Sequence, residues 1–465
     1  MKHISVLGFL VLSGCMVGPD YQRPLLAVPT HYKAAPGWVK AKPDDAAAKG
    51  NWWENFNDPV LNKLEPEVAI HNASLAADYY AYQQAVAITQ EARGGLFPSL
   101  SLTSGATRAR QNVGLGTSGD FEGQVSWSLD LWGKIRRQVE SDAAQAQVSA
   151  ADLANATLSA QATLASDYVY LRSADANISL LQKTIMAYQQ SLTIAQNKYN
   201  AGTVSQSDVL TARTALDGAQ SSLMAEYAVR AQYEHSIAVL TGRAPAEVSI
   251  PPGEQIQIIP IAPPQVPSTL LQRRPDIAAA ERQMAEANAQ IGVAEAAFYP
   301  DLSLSALGGF TANPITGLFT TSSELWSLGA TATADLFNGG SRSQAVAAAQ
   351  AAYMQSVETY RQTVLTAFQQ VETDLTNLQI YAQQAQIEAQ AVADAGQAVQ
   401  IAMNEYAAGT VDYTTVASAQ VTLLSDQQTA LSIQQSRLLA SIALYQDLGG
   451  GFNEDDVLKR TSGQN

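Results

Sequence analysis

A single cysteine, Cys15, occurs in 465 residues, so no internal disulfide can brace this fold. Histidine is nearly as scarce: His3, His31, His71 and His235 are far apart and have no metal-ligand spacing. Lysine and arginine total 27 against 42 acids, a net charge of -15, which disfavours a nucleic acid partner and gives no sign of a basic surface for anionic lipid. No run of about 18 apolar residues occurs, so no transmembrane helix is expected and any membrane span must be made of strands.

Catalytic signatures are missing as well. Gly114, Gly116 and Gly119 spell a dinucleotide fingerprint, but the stretch opens no helix and reads as a flexible hairpin loop. No nucleophile elbow and no Cys/His pair occurs, and acid pairs such as Asp455 and Asp456 sit in a polar tail. The sequence therefore points away from an enzyme and calls for no cofactor or metal.

The one cysteine has a telling place. Lys2 and His3 precede the apolar run Ile4 to Leu12, followed by Leu12-Ser13-Gly14-Cys15, the tripartite form of an export leader. Its ending resembles the cleavage box of bacterial lipoproteins, in which the cysteine becomes the acylated first residue.

What is abundant is repetition. Tyr199-Asn200-Ala201-Gly202-Thr203-Val204 is matched by Tyr406-Ala407-Ala408-Gly409-Thr410-Val411, five identities in six at an offset of 207. Each copy lies between long Ala/Gln/Ser-rich segments, so each reads as the turn of a helical hairpin with glycine as the left-handed terminator. Heptads flank both turns. Counting back from Tyr199 gives Leu192, Ile185, Ile178, Leu171 and Leu164, and Val209, Leu216, Leu223, Arg230 and Ile237 follow; the second copy repeats this through Val399, Val392, Val416, Leu423, Arg437 and Leu444. A sustained period of seven means coiled-coil packing. Roughly 60 residues from Arg137 to Tyr199 make a rod on the order of 90 Å. Arg230 and Arg437 break the apolar seam at one heptad place, and each is expected to bridge to an acid on a neighbouring helix.

Between the helices the period changes to two. Leu100 and Leu102 alternate with serine and threonine, and Val125, Trp127, Leu129 and Leu131 alternate with Ser126, Ser128 and Asp130. Strands are expected near 99–108 and 122–131, and in the second half near 301–310 and 325–336. Trp127, Trp132, Trp326 and Phe337 fit either an interfacial girdle or a soluble core. The expected plan is a leader at 1–14, an extended arm at 15–57, a first repeat at 58–250, a proline-rich linker at 251–267, a second repeat at 268–450 and a polar tail at 451–465. One helix is expected from Val60 to Arg93. The class is mainly α with a β part, and four strands cannot close a membrane barrel alone. Two, three or four copies would supply eight, twelve or sixteen strands.

The chain resembles the outer membrane efflux proteins of the TolC family, in the lipoprotein branch that serves resistance-nodulation-division pumps. The likeness is carried by the box at Cys15, by Trp52-Trp53 to Asp58-Pro59, by Leu270-Leu271-Gln272-Arg273-Arg274-Pro275-Asp276-Ile277, by Ile291-Gly292-Val293-Ala294 to Phe298-Tyr299-Pro300, and by both turns. The resemblance implies a homotrimer anchored by lipid at Cys15, with a 12-stranded barrel in outer-membrane lipid and a 12-helix tunnel through the periplasm. It implies that Tyr199, Gly202, Thr203, Val204, Tyr406, Gly409, Thr410 and Val411 form tips on which a periplasmic adaptor docks. It also implies a closed-state constriction there. Relatives often carry an aspartate nine residues after the second turn glycine, where this chain has Ser418, so Asp208, Asp412 and Ser418 are the candidate gate. The implied function is a passive exit duct for an inner-membrane pump; a protein-secretion channel and a non-spanning periplasmic coiled-coil lipoprotein are the alternatives.

Overall fold

The computed structural model describes residues 16–24, 51–111, 114–260 and 273–450. The expected leader, Cys15, most of the expected arm, the end of the expected linker and the expected tail lie outside the described residues. The described chain forms two compact units: one contains Tyr80–Ala151 and Ala278–Thr363 with the start of the arm, the other Asp152–Ile277 with residues either side of it in sequence, including both hairpin turns.

The elements run α1 (Leu61–His71), α2 (Ala73–Gly94), β1 (Ser99–Gln111), β2 (Gly114–Leu129), α3 (Lys134–Asn200), α4 (Gln206–Leu240), α5 (Pro275–Ala296), β3 (Asp301–Ala312), β4 (Glu324–Thr333), α6 (Ser341–Ala408) and α7 (Tyr413–Asp447). The 67 residues of α3 extend roughly 100 Å at 1.5 Å each. The single helix expected from Val60 to Arg93 is broken. Asn72 leaves the helical conformation, its side-chain oxygen accepts the Ser74 and Leu75 amides at 2.9 and 3.3 Å, and its amide group donates to Leu240 at the end of α4. A cap side chain inside a continuous apolar pattern thus divides one helix into two.

Aromatics from the end of the arm anchor the helical unit. Trp52, Trp53 and Phe56 are buried with Leu164, Tyr168, Leu171 and Ile237, and Trp52 stacks on Tyr445 with centroids 5.7 Å apart. Asp58 then caps α1, accepting the Val60 and Leu61 amides at 2.8 and 3.0 Å and the Tyr168 hydroxyl at 2.9 Å. The heptad residues Leu164, Leu171, Val416 and Leu444 are all buried. Arg230 reaches Asp175 on α3 at 2.7 Å, as the heptad break suggested, whereas Arg437 donates to Gln434 on its own helix. Residues 251–260 are held as a strap: Arg172 donates to the Pro251 carbonyl at 2.8 Å, and the Gly253 amide donates to Asp175 at 3.0 Å.

The four strands form one antiparallel sheet in the order β1-β2-β3-β4, so β1 and β4 are its edges. The register puts the apolar residues in rows. Leu129, Leu302 and Ala332 share one; Trp127, Leu304 and Ala330 the next; then Leu100, Val125, Ala306 and Leu328; then Leu102, Gly123, Gly308 and Trp326. The opposite face carries Ser128, Ser303 and Thr331, then Ser99, Ser126, Ser305 and Gly329, then Ser101, Gln124, Leu307 and Ser327. Leu100, Leu102, Trp326 and Leu328 are exposed on the apolar face. β1 and β2 extend past their expected ends, because Gly114, Gly116 and Gly119 lie within β2 rather than in a loop. Glycine is needed there for close approach: a Cβ at Gly119 would come 2.7 Å from Ile315, and one at Gly309 would collide with the Phe121 carbonyl oxygen. β4 stops at Thr333, short of Leu336 and Phe337, which are exposed.

Aromatics gather at both ends of the sheet. Trp132 stacks on Tyr299 at 4.8 Å at the end joined to α3, and Phe319 meets Phe121 and Phe310 at 5.8 and 5.7 Å at the other. Trp326 instead sits within the apolar face.

Candidate functional site

Both sequence-repeated turns fold alike, and the reason is local. Gly202 and Gly409 have φ of 73° and 76°, the left-handed region where a side chain costs roughly 1–2 kcal/mol. The Gly202 amide donates to Tyr199 at 2.8 Å and the Thr203 amide to Lys198 at 3.0 Å, closing the two bonds of a Schellman motif. The second turn repeats them, Gly409 to Tyr406 at 3.1 Å and Thr410 to Glu405 at 3.0 Å. Thr203 and Thr410 add their hydroxyls to those last carbonyls at 2.9 and 3.0 Å. This explains the repeated pattern within the chain: glycine supplies the turn and threonine doubles the bond that ends the helix.

The side chains around the turns differ. Tyr199 is 40% exposed, whereas Tyr406 is 2% exposed. Tyr406 packs with Ala195, Val209 and Ala212 of the first hairpin and meets Tyr413 edge-on at 5.4 Å. Val204 and Val411 border the same cluster. Lys198 crosses from the end of α3 to the end of α6, donating to the Tyr406 and Ala407 carbonyls at 2.7 and 3.1 Å, with its ammonium 4.9 Å from the Tyr406 ring centre. A cation thus satisfies helix-end carbonyls of the other hairpin, where the helix dipole favours it. Deeper in, Gln420 donates to Ser191 at 2.9 Å and joins the hairpins again.

The three candidate gate residues stand in three different settings. Asp208 lies in the first turn of α4, accepts the Ser205 hydroxyl at 3.1 Å and faces Tyr406. Burial, then the charge of Asp208, pushes the Tyr406 phenol up to about 12. Asp412 is the N-cap of α7 but its carboxylate makes no cap bond, and it is exposed. Ser418 is exposed on the second turn of α7, its carbonyl accepting Thr422. The sequence did not single out Lys198 or Tyr413. The signal was the one position where the copies oppose in charge, Lys198 against Glu405, beside otherwise near-identical turns.

A second constellation, in the unit that carries the sheet, receives the start of the arm. Arg137, 1% exposed near the start of α3, donates to the carbonyls of Val17 and Gly18 at 3.0 Å each and pairs with Asp20 at 2.9 Å. The Val17 amide donates to Trp132 at 3.1 Å. A Cβ on Gly292 would come 2.8 Å from the Arg137 side chain, which accounts for glycine there. In the helical unit the Arg-Arg-Pro-Asp stretch becomes an ion network: Arg274 binds Asp276 at 2.7 Å, Asp447 at 3.2 Å and Gln370 at 2.8 Å.

Two 35-residue return helices, two long helices and a four-stranded sheet with one apolar face are also the plan of known proteins. The family described as "Outer membrane efflux protein" matches residues 66–243 and 266–450. The toluene efflux pump outer membrane protein TtgC of Pseudomonas putida is 30% identical over 358 residues, covering 73% of this chain and 72% of that protein. Nodulation protein T of Rhizobium leguminosarum bv. trifolii is 28% identical over 354 residues, covering 71% and 72%. Among solved structures, the outer-membrane channel OprN superposes with a TM-score of 0.85 at 27% identity, covering 94% of this chain and 99% of that one. The outer membrane protein VceC of Vibrio cholerae gives 0.80 at 26%, covering 87% and 99%. The chain belongs to the outer membrane efflux protein family, and its fold and function are those of an outer-membrane exit duct for efflux pumps.

Proposed function

We propose that three copies of this chain assemble into one duct, with the sheets closing a 12-stranded barrel in outer-membrane lipid and the long helices forming a tunnel into the periplasm. The observation that carries this is the sheet itself: one face is apolar in each row from Leu129 to Gly123, and both edges, β1 and β4, lack a partner among the described residues. Open edges in hydrocarbon cost several kcal/mol per unpaired group, and pairing β4 with β1 of the next copy removes both. The end joined to α3 faces the periplasm and the β1–β2 hairpin faces outward.

The two turns form the tip that a periplasmic adaptor grips, with Tyr199, Gly202, Thr203, Val204, Gly409, Thr410 and Val411 at or beside its surface. Behind them Lys198, Asp208, Tyr406 and Tyr413 tie the hairpins together and hold the tunnel narrow, while Asp412 and Ser418 offer exposed polar groups along the start of α7. Opening separates the hairpins and breaks these contacts. Energy comes from an inner-membrane pump of the resistance-nodulation-division class, and a wide polar tunnel leaves selection of small toxic compounds to that pump. Cys15 carries the lipid anchor. The clasp of Arg137 on Val17, Gly18 and Asp20 supports this, because it holds the residues just after Cys15 beside Trp132 at the basal aromatic level of the sheet.

The test is complementation. In a strain whose own exit duct is deleted, this chain with its cognate adaptor and pump should restore resistance and lower intracellular dye accumulation. Unchanged accumulation with the protein correctly located in the outer membrane would reject the reading. Mass spectrometry should find Cys15 at the mature N-terminus bearing acyl chains; an unmodified Cys15 rejects the anchor alone.

A further inference from the structure

We infer that Arg108 and Arg110 form a binding site for phosphate groups of anionic glycolipid in the outer leaflet. The inference rests on the barrel orientation proposed above. The sheet holds two cations and four acids: Asp120, Glu122 and Asp301 pair across strands with Gly105, Thr103 and Thr333, on the polar face, and Glu324 pairs with Phe310 on the apolar one. Arg108 and Arg110 pair with Thr117 and Leu115, in the same alternation as Leu100 and Leu102, so both cations lie on the apolar, lipid-facing side. A net charge of -15 gave no hint of such a basic patch.

Their height follows from the register. From Leu129 to Gly119 the rows of this face span ten residues of β2, apolar except for Ser104 and Glu324 in the row of Phe121, about 34 Å of strand at roughly 3.4 Å each. A strand tilt of about 40° reduces that to about 25 Å, the height of the apolar band of an outer-membrane barrel. Arg108 and Arg110 lie two and four residues beyond Gly119's partner Ala106, which places them about 5 and 10 Å above the band, at the headgroup level. Both are exposed, and neither has an ion-pair partner among the described residues. Their neighbour Leu115 is 62% exposed and extends the apolar contact up to them. A guanidinium at that level, on a stem lying along hydrocarbon, matches a lipid phosphate in charge and in its paired donors.

Glu324 is the one acid of the sheet on the same face, opposite Phe310 on β4. Ring closure would bring a neighbour's β4 beside β1, so an Arg–Glu pair between copies is the competing use of these arginines.

The experiment compares wild type, the Arg108→Gln/Arg110→Gln double variant and Glu324→Gln, each as purified full chain. The probes are nanodiscs of phosphatidylcholine alone or with rough-type lipopolysaccharide. Trimer and channel activity in phosphatidylcholine should be the same for all three. Lipopolysaccharide affinity should fall about tenfold or more in the double variant, the loss expected of about one charge-assisted bond, and stay unchanged in Glu324→Gln. Equal affinity in wild type and double variant would overturn the site. A trimer weakened equally by the double variant and by Glu324→Gln in phosphatidylcholine would overturn it in favour of the pair between copies. Failure of wild type to insert in either membrane would overturn the barrel reading, and this inference with it.

Discussion

Glu65 is a carboxyl with 0% exposure, and neither of its oxygens has a hydrogen-bond partner among the described residues. Burial alone pushes its pKa up to about 9 from 4.5, so it is protonated in the folded chain at neutral pH. The unfolded chain binds fewer protons between those values, so this residue's contribution to stability falls as pH rises from about 4.5 to 9. Glu65→Gln keeps the shape and removes the titration. Its thermal midpoint should match wild type near pH 4 and exceed it increasingly towards pH 9; parallel curves would contradict the burial account. The turn glycines make a different residue-scale case. Gly202 and Gly409 have open space where a Cβ would stand, so the positive φ is what opposes a branched side chain there. Gly202→Val and Gly409→Val should speed hydrogen exchange of the Thr203 and Thr410 amides, cost about 1–2 kcal/mol locally, and reduce efflux without preventing assembly. At this scale the repeat made both turns legible, since glycine at a helix end has one common use. It could not distinguish Tyr199 from Tyr406: the residues are identical, and their difference is set by Lys198 and by which hairpin covers which ring.

Elements were legible where one period dominated. The long helices followed from sevens and the strands from alternation, but their ends did not. Asn72 broke a helix because its cap bonds form with amides that follow it, and the glycines of β2 read as a loop although Gly119 makes room for Ile315 within a paired strand. The sheet yields its own prediction. Leu129 lies in the basal row, whereas the row of Leu100, Val125, Ala306 and Leu328 is nearer the middle of the apolar band, so a charge tests the face best at Val125. Val125→Arg should cost about 2–4 kcal/mol of insertion, while Ser126→Arg on the opposite face should be tolerated. Heat-modifiable migration of protein from membrane fractions measures both, and equal loss would remove the support for a lipid-facing side. The clasp on the arm is a third element-scale device. Arg137→Ala would leave the Val17 and Gly18 carbonyls without their donor, so protease cleavage within residues 16–24 should quicken while the sheet stays folded; unchanged cleavage would show that the clasp does not hold the arm.

At the scale of the whole molecule, a duplicated hairpin-and-strand plan was visible in the chain, and the need for several copies followed from four strands with open edges. The number of copies did not, because closure physics accepts eight, twelve or sixteen strands alike. Nor did the sequence show that the two hairpins are tied asymmetrically, with a lysine of one on the carbonyls of the other. In the proposed duct that tie holds the tip closed at rest, and it gives a single decisive measurement. Purified wild type and Lys198→Met should be compared by single-channel recording in planar bilayers. Wild type should give small discrete current steps; Lys198→Met, which lacks the bonds to Tyr406 and Ala407, should give steps several-fold larger at the same salt and voltage. Bilayers that stay silent with both proteins, despite confirmed insertion of the barrel, would contradict the exit-duct account.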